Sequence, residues 1–154
     1  MVRTFSTMLP LGTPLPEFEL GVVKGTGLFL DTQLRGLDKI NHKMLGSKPI
    51  LLMIICAHCP FVKHVEEELT LLDKDYGNGV QMLAIASNSL ITHPQDGPVQ
   101  LAQQSKQQGW TFPYLLDTDQ SFARALKAAC TPDFFLFSVA KDGCQTLRYR
   151  GQLD

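Results

Sequence analysis

The chain has little that would serve a polyanion, a bilayer or a disulfide-stapled scaffold. Its 14 Lys and Arg stand against 15 Asp and Glu, and no run of Lys or Arg could follow a phosphate backbone or an anionic lipid surface. Nucleic acid and membrane are therefore not expected partners. The longest uninterrupted apolar run, Pro49 to Ile55, falls far short of the roughly 20 residues that cross a bilayer. Met1 to Leu11 lacks the apolar centre and small-residue cleavage site of a secretory signal, so a cytoplasmic protein is expected. Cysteine is scarce as well: 4 in 154 residues are too few to staple a small secreted fold. Two of them nevertheless fall in Cys56-Ala57-His58-Cys59, a spacing in which redox or metal chemistry is common.

What is present suits one α/β domain spanning 1–154, with an N-terminal extended or hairpin segment over 1–30. Leu9 to Pro16 is rich in Pro and Gly and predicts an extended lead-in to a short strand at Phe18-Glu19-Leu20. Gly21 to Gly27 reads as a turn region, with Leu28 to Leu30 as a hairpin partner. Asp38 to Ser47 carries a weak signal for a short helix or loop. Ile50 to Ile55 is apolar on both strand faces, as in a central strand covered on either side, and leads directly into Cys56.

Beyond the motif, Phe61, Val62, Val65, Leu69, Leu72 and Tyr76 recur at helical spacing, with Lys63, Glu66, Glu67, Asp73 and Lys74 on the other face. Val80 to Ala86 predicts a second buried strand, parallel to the first through the helical crossover. Asp96 and Pro98 supply start signals for a helix over Val99 to Gln108, which Gly109 ends. Tyr114 to Leu116 is a short strand. A helix carrying Phe122, Ala125 and Leu126 then follows, capped by Thr118 or Asp119. Asp133 to Val139 and Cys144 to Arg150 pair as a hairpin across Lys141-Asp142-Gly143. The alternation predicts a three-layer sandwich around a central mixed β-sheet.

A helix beginning at Cys56 would set its sulfur beside unpaired N–H groups and the positive end of the helix dipole, which favour thiolate, the attacking species in disulfide exchange. In that arrangement Cys56 attacks and Cys59 resolves the mixed disulfide. His58 adds a positive charge or a hydrogen bond, and a pair more oxidising than thioredoxin's is expected. The bland alternative is a zinc half-site or two buried thiols. A structural zinc needs four ligands, and no second C-x-x-C or ordered His pair is present, so no metal is expected.

Thr131-Pro132 is either a strand-leading proline or a cis-proline loop facing the cysteines, with the backbone of Thr131 free to pair with substrate. Cys130 is an accessory thiol near that loop or a small buried residue. Cys144 reads as structural or incidental. His64, Lys63 and Glu66 to Glu68 read as solvated helix residues, and His93 as a loop residue.

Several motifs in order resemble the alkyl hydroperoxide reductase/thiol-specific antioxidant (redoxin) superfamily of thioredoxin-like proteins. Cys56-Ala57-His58-Cys59-Pro60-Phe61-Val62-Lys63-His64 is similar to one subgroup's Cys-Asn-His-Cys-Pro-Phe-Val-Lys-His. Ser87-Asn88, His93 to Pro98, Thr111 to Leu115, Ala129 to Phe137, Tyr149 to Asp154 and the Pro14 to Leu20 segment extend the likeness over nearly the whole chain.

The resemblance implies a thioredoxin-like fold, a thiol-disulfide oxidoreductase with no cofactor, Cys56 as nucleophile and Thr131-Pro132 as the cis-proline position. Implied partners are a disulfide or dithiol protein, or a small thiol. Ala57 replaces the motif's Asn, and Ile55 stands where thioredoxin has Trp. The resemblance also implies a helix beyond Asp154 that this sequence does not include, leaving a sheet face for a partner or a dimer contact. A peroxiredoxin-like peroxidase is the rival enzyme, but its P-x-x-x-T/S-x-x-C pocket motif is absent. A redox sensor that turns over no substrate is the non-catalytic rival.

Overall fold

The computed structural model describes residues 8–27, 34–88, 93–128 and 131–153. Strands β1 (Glu19–Val22), β2 (Lys39–Asn41), β3 (Ile50–Ile54), β4 (Gln81–Ala86), β5 (Tyr114–Leu116), β6 (Asp133–Val139) and β7 (Gln145–Gly151) form one sheet in the order β2-β1-β5-β4-β3-β6-β7. Helices α1 (Pro60–Tyr76), α2 (Pro98–Gln108) and α3 (Ser121–Ala125) connect them. The sheet is mixed, with β3, β4 and β5 parallel and the flanking pairs antiparallel.

Apolar run and topology agree in the centre. β3 lies between β4 and β6, and Leu52, Met53, Leu83 and Ile85 are fully buried. Burying each such side chain stabilises the fold by about 1.5–3 kcal/mol. On one face Val62, Val65 and Leu69 of α1 and Leu101 of α2 pack with Met53, Ala84 and Tyr114. On the other, Phe122 and Leu126 join Leu9, Phe18, Leu34 and Leu45 over Leu52, Ile85 and Phe135. These are the three layers that the alternation predicts.

Local departures have physical causes. β1 runs on through Val22 and pairs with β2 and β5. The expected hairpin partner at Leu28 to Leu30 lies outside the described residues. Asp38 to Ser47 is neither helix nor plain loop. Its first part is β2, followed by a 3-10 turn over His42–Met44 whose Lys43 N–H is accepted by the Asn41 side chain.

The lead-in segment is extended only in part: a tight turn, closed by Thr13 N–H on the Pro10 carbonyl with Gly12 at φ +86°, interrupts it. Gly12 N–H donates to the Leu147 carbonyl, Leu147 N–H to Thr13 and Leu15 N–H to Gln145, at 2.8–2.9 Å. On α1, Phe61 and Tyr76 are exposed rather than packed, while Glu66 and Asp73 are buried. Asp73 accepts from the Thr111 backbone N–H and hydroxyl at 2.6 and 2.7 Å, tying α1 to the loop before β5.

Candidate active site

β3 delivers the chain to Cys56, but the helix does not begin there. Proline disfavours the helical conformation in the residue before it. Cys59 is accordingly extended (φ −65°, ψ 125°) and serves as N-cap, with Pro60 as the first helical residue. Cys56, Ala57 and His58 thus form a turn ahead of the helix. The expected order of a helix starting at Cys56, with Cys59 in its first turn, is corrected by this one constraint.

The two sulfurs meet the same residue. Cys56 Sγ lies 3.7 Å from Thr131 Oγ1, and Cys59 Sγ donates toward the Thr131 carbonyl at 3.6 Å. The Thr131–Pro132 bond is cis. Thr131 and Pro132 therefore stand against the cysteines, as the sharper sequence reading expects. Cys130 lies outside the described residues, and Cys144 is exposed just before β7.

Exposure and charge separate the thiols. Cys56 is 1% exposed and Cys59 is half-buried. Burial pushes the Cys56 thiol up, beyond what the Thr131 hydroxyl and the Cys59 N–H can offset, and the Asp96 carboxylate adds to the rise. Burial acts in the same direction on Cys59. There the Thr131 hydroxyl and the N–H groups of Val62 and Phe61 outweigh it and hold the thiol below its ordinary value. The helix terminus favours thiolate at Cys59, one loop later than the sequence suggests.

Asp96 is the residue that sequence reading misses. It is 2% exposed, on a 3-10 turn (Pro94–Asp96) leading into α2. Its Oδ1 accepts from the backbone N–H groups of Ala57 at 2.9 Å and His58 at 3.2 Å. Its Oδ2 accepts from Asn88 Nδ2 at 2.8 Å and lies 2.6 Å from His58 Nδ1, off the line of an ideal hydrogen bond. Burial alone would raise this carboxyl, but hydrogen bonds from Asn88, His58 and Ala57 hold it below the usual carboxylate range. His58 therefore turns toward Asp96, and its other face stacks on His93 with ring centroids 5.1 Å apart.

A second network supports the turn from below. Gln104 Nε2 donates to the Cys56 carbonyl at 3.1 Å and to Glu66 Oε1 at 3.2 Å, while Tyr114 OH donates to Gln104 Oε1 at 3.0 Å. Gln108 Nε2 and Lys63 Nζ complete the Glu66 shell at 2.7 and 2.9 Å. Burial, then the nearby Cys56, Asp96 and Glu66 charges, keep the Tyr114 phenol protonated well above its ordinary range. Glu66 is thus a buried support and not a solvated helix residue. Its place four after Val62 and three before Leu69 carries that signal.

Cys56, His58 and Asp96 offer one ligand atom each within 4.8 Å of one another. Both Asp96 oxygens already accept backbone or side-chain N–H groups, so this donor set fits a hydrogen-bonded turn better than a metal centre. Exposure and charge predict that iodoacetamide at neutral pH modifies Cys59 before Cys56 in the reduced protein. Peptide mass spectrometry after brief exposure checks the order; equal or reversed labelling would contradict it.

Comparison with curated protein sequences gives no significant match. Among solved structures, an uncharacterized conserved protein of Geobacillus kaustophilus is 39% identical, with a TM-score of 0.79 over 96% of this chain and 71% of that one. A hypothetical protein of Sinorhizobium meliloti is 33% identical at the same TM-score, over 96% and 73% of the two chains. A secreted disulfide oxidoreductase of Mycobacterium tuberculosis is 16% identical, with a TM-score of 0.62 over 85% and 81%, and shares the thioredoxin-like fold. Among the described residues, no helix is long and apolar enough to cross a membrane. The family match runs over residues 11–150, through every strand and helix around the cysteine turn, and on that match the chain belongs to the AhpC/TSA family.

Proposed function

We propose that this protein is a thiol-disulfide oxidoreductase whose working couple is Cys56 and Cys59. The observation that carries the reading is the convergence of both sulfurs on Thr131 of the cis-proline loop. Two open clefts flank that point. One of about 520 Å³ is lined by Phe61, Ser87, Asn88, Arg124 and Thr131; the other, of about 340 Å³, by Phe61, His64, Thr131 and Pro132. Phe61, 72% exposed, stands in both and gives a disulfide substrate an apolar surface beside the sulfurs. The disulfide oxidoreductase of Mycobacterium tuberculosis, alike in fold, supports the same chemistry.

In the reductive direction, one protein thiolate attacks a substrate disulfide, forming a mixed disulfide and releasing one substrate thiolate. The second protein thiolate then attacks the protein sulfur of that bond. The second substrate thiol leaves, Cys56 and Cys59 become a disulfide, and two electrons have passed to the substrate. The reverse sequence oxidises a dithiol. The substrate class is a disulfide or dithiol protein or a small thiol, and a second dithiol resets the couple. The resemblance assigns first attack to Cys56, which requires its covered sulfur to be uncovered; in the reduced state Cys59 is the more exposed and more acidic thiol.

Equilibration in graded glutathione buffers, with alkylation of free thiols and location of the remaining disulfide, tests the reading. One reversible two-electron Cys56-Cys59 couple is expected. Cysteines that stay reduced across the whole series would rule the function out.

A further inference from the structure

We propose that Asp96 is a positioning residue of the dithiol: its buried carboxylate holds the Ala57-His58 turn, draws the His58 ring to itself, and so withholds both N–H groups and imidazole from the Cys56 sulfur. The proposal rests on the reading of Cys56 and Cys59 as the redox couple and says what sets the balance between them.

Three observations converge on it. Of the backbone N–H groups in the turn between β3 and α1, that of Cys59 serves the Cys56 sulfur, whereas those of Ala57 and His58 are spent on Asp96 Oδ1. His58 has its Nδ1 2.6 Å from Asp96 Oδ2. The carboxylate itself is immobilised by Asn88 at the end of β4 and by its place in the Pro94–Asp96 turn. A carboxylate that accepts three N–H hydrogen bonds and is held below its usual range is ionised near neutral pH, and like charge disfavours a neighbouring thiolate.

The Thr131 hydroxyl and the Cys59 N–H stabilise a Cys56 thiolate only in part, short of what burial costs it. Cys59 is itself the more acidic thiol, Tyr114 is a buried neutral phenol, and Glu66 reaches the Cys56 carbonyl only through Gln104. His93 stacks on His58 from the α2 side. The Thr131 hydroxyl lies against the Cys56 sulfur, at 3.7 Å. Asp96 thereby adds its charge to the burial that holds the Cys56 thiol up, and Cys59 stays the more acidic of the two.

The test reads Cys56 alone. In full-length Cys59→Ser protein, the rate of Cys56 alkylation by iodoacetamide is followed across pH by peptide mass spectrometry, with and without Asp96→Asn. Asn keeps an oxygen for the two N–H groups and removes the charge. The alkylation midpoint is expected to fall by about one pH unit, which is roughly tenfold faster labelling near neutral pH. A folded variant whose midpoint is unmoved or higher overturns the proposal, because a merely structural cap would leave the titration in place.

Should the Asn variant fail to fold, His58→Ala in the same background decides. Removal of the partner that damps Asp96 is expected to raise the midpoint, and no change or a fall overturns the proposal. Alkylation needs no turnover, so its answer is independent of the glutathione experiment, on which the oxidoreductase reading itself stands or falls.

Discussion

Cys56→Ser and Cys59→Ser are each expected to reduce disulfide exchange to the background of free thiol in the buffer. Neither can close the intramolecular bond that releases substrate, and the remaining sulfur stops at a mixed disulfide. The two variants are not equivalent. The protein retaining Cys59 keeps the sulfur that is half-exposed and capped by the first N–H groups of α1, whereas the protein retaining Cys56 keeps a sulfur 1% exposed beside a carboxylate. With oxidised glutathione the first is expected to form its adduct faster at neutral pH. Reduction rates of a disulfide-bonded peptide, with intact mass of the protein at each time point, measure both effects. Retention of substantial exchange in either variant would place the chemistry on Cys130 or Cys144 instead.

Asp117→Ala is expected to cost about 2–4 kcal/mol of stability, the largest loss from any single polar side chain described here. Asp117 is fully buried. Its carboxylate accepts from the Phe122 and Ala123 N–H groups at 3.1 and 2.8 Å and from the Ser87 hydroxyl at 3.0 Å. Truncation removes a helix N-terminal cap, typically ~0.5–2 kcal/mol, and leaves buried donors without partners at a further ~1–3 kcal/mol. For a chain of this size a melting temperature lower by on the order of 5–15 °C follows. Thermal unfolding by circular dichroism measures it. A loss below about 1 kcal/mol would mean that water replaces the carboxylate and that the site is less enclosed than its geometry indicates.

The fold was legible wherever a residue pattern and a packing demand coincide. Ile50 to Ile55 is apolar on both faces because β3 is covered on both, and the three- and four-residue spacing of Val62, Val65 and Leu69 matches the buried stripe of α1. The C-x-x-C and Thr131-Pro132 stand out as residues and meet in space, though 75 positions separate Cys56 from Thr131.

What escaped reading depends on partners distant in sequence. Asp96 resembles a helix-start residue, and only the fold reveals that it faces a turn 38 and 39 positions earlier. Glu66 and Asp73 resemble surface charge until Gln104, Gln108 and Thr111 enclose them. The sequence points to Thr118 or Asp119 as the cap rather than Asp117, because the capping carboxylate reaches forward five and six residues from the end of β5. The start of α1 was different: Pro60 already disfavours a helical Cys59, so the placement of both thiols relative to the helix was available from local chemistry alone.

The pairing of residues 12–15 with the start of β7 also limits how this protein can be joined by others. A sheet ending in a bare strand offers a row of unpaired amides and carbonyls on which a second chain can add as another strand. Here Gly12, Thr13 and Leu15 occupy those positions along Gln145 and Leu147, and the Arg150 guanidinium reaches the Leu9 carbonyl. At the opposite margin β2 has only three residues, too short a template for polymerising growth. Peptides that seek backbone ladders are thus turned away from the occupied part of that margin, and recognition is left to side chains around Phe61 and the cysteine turn.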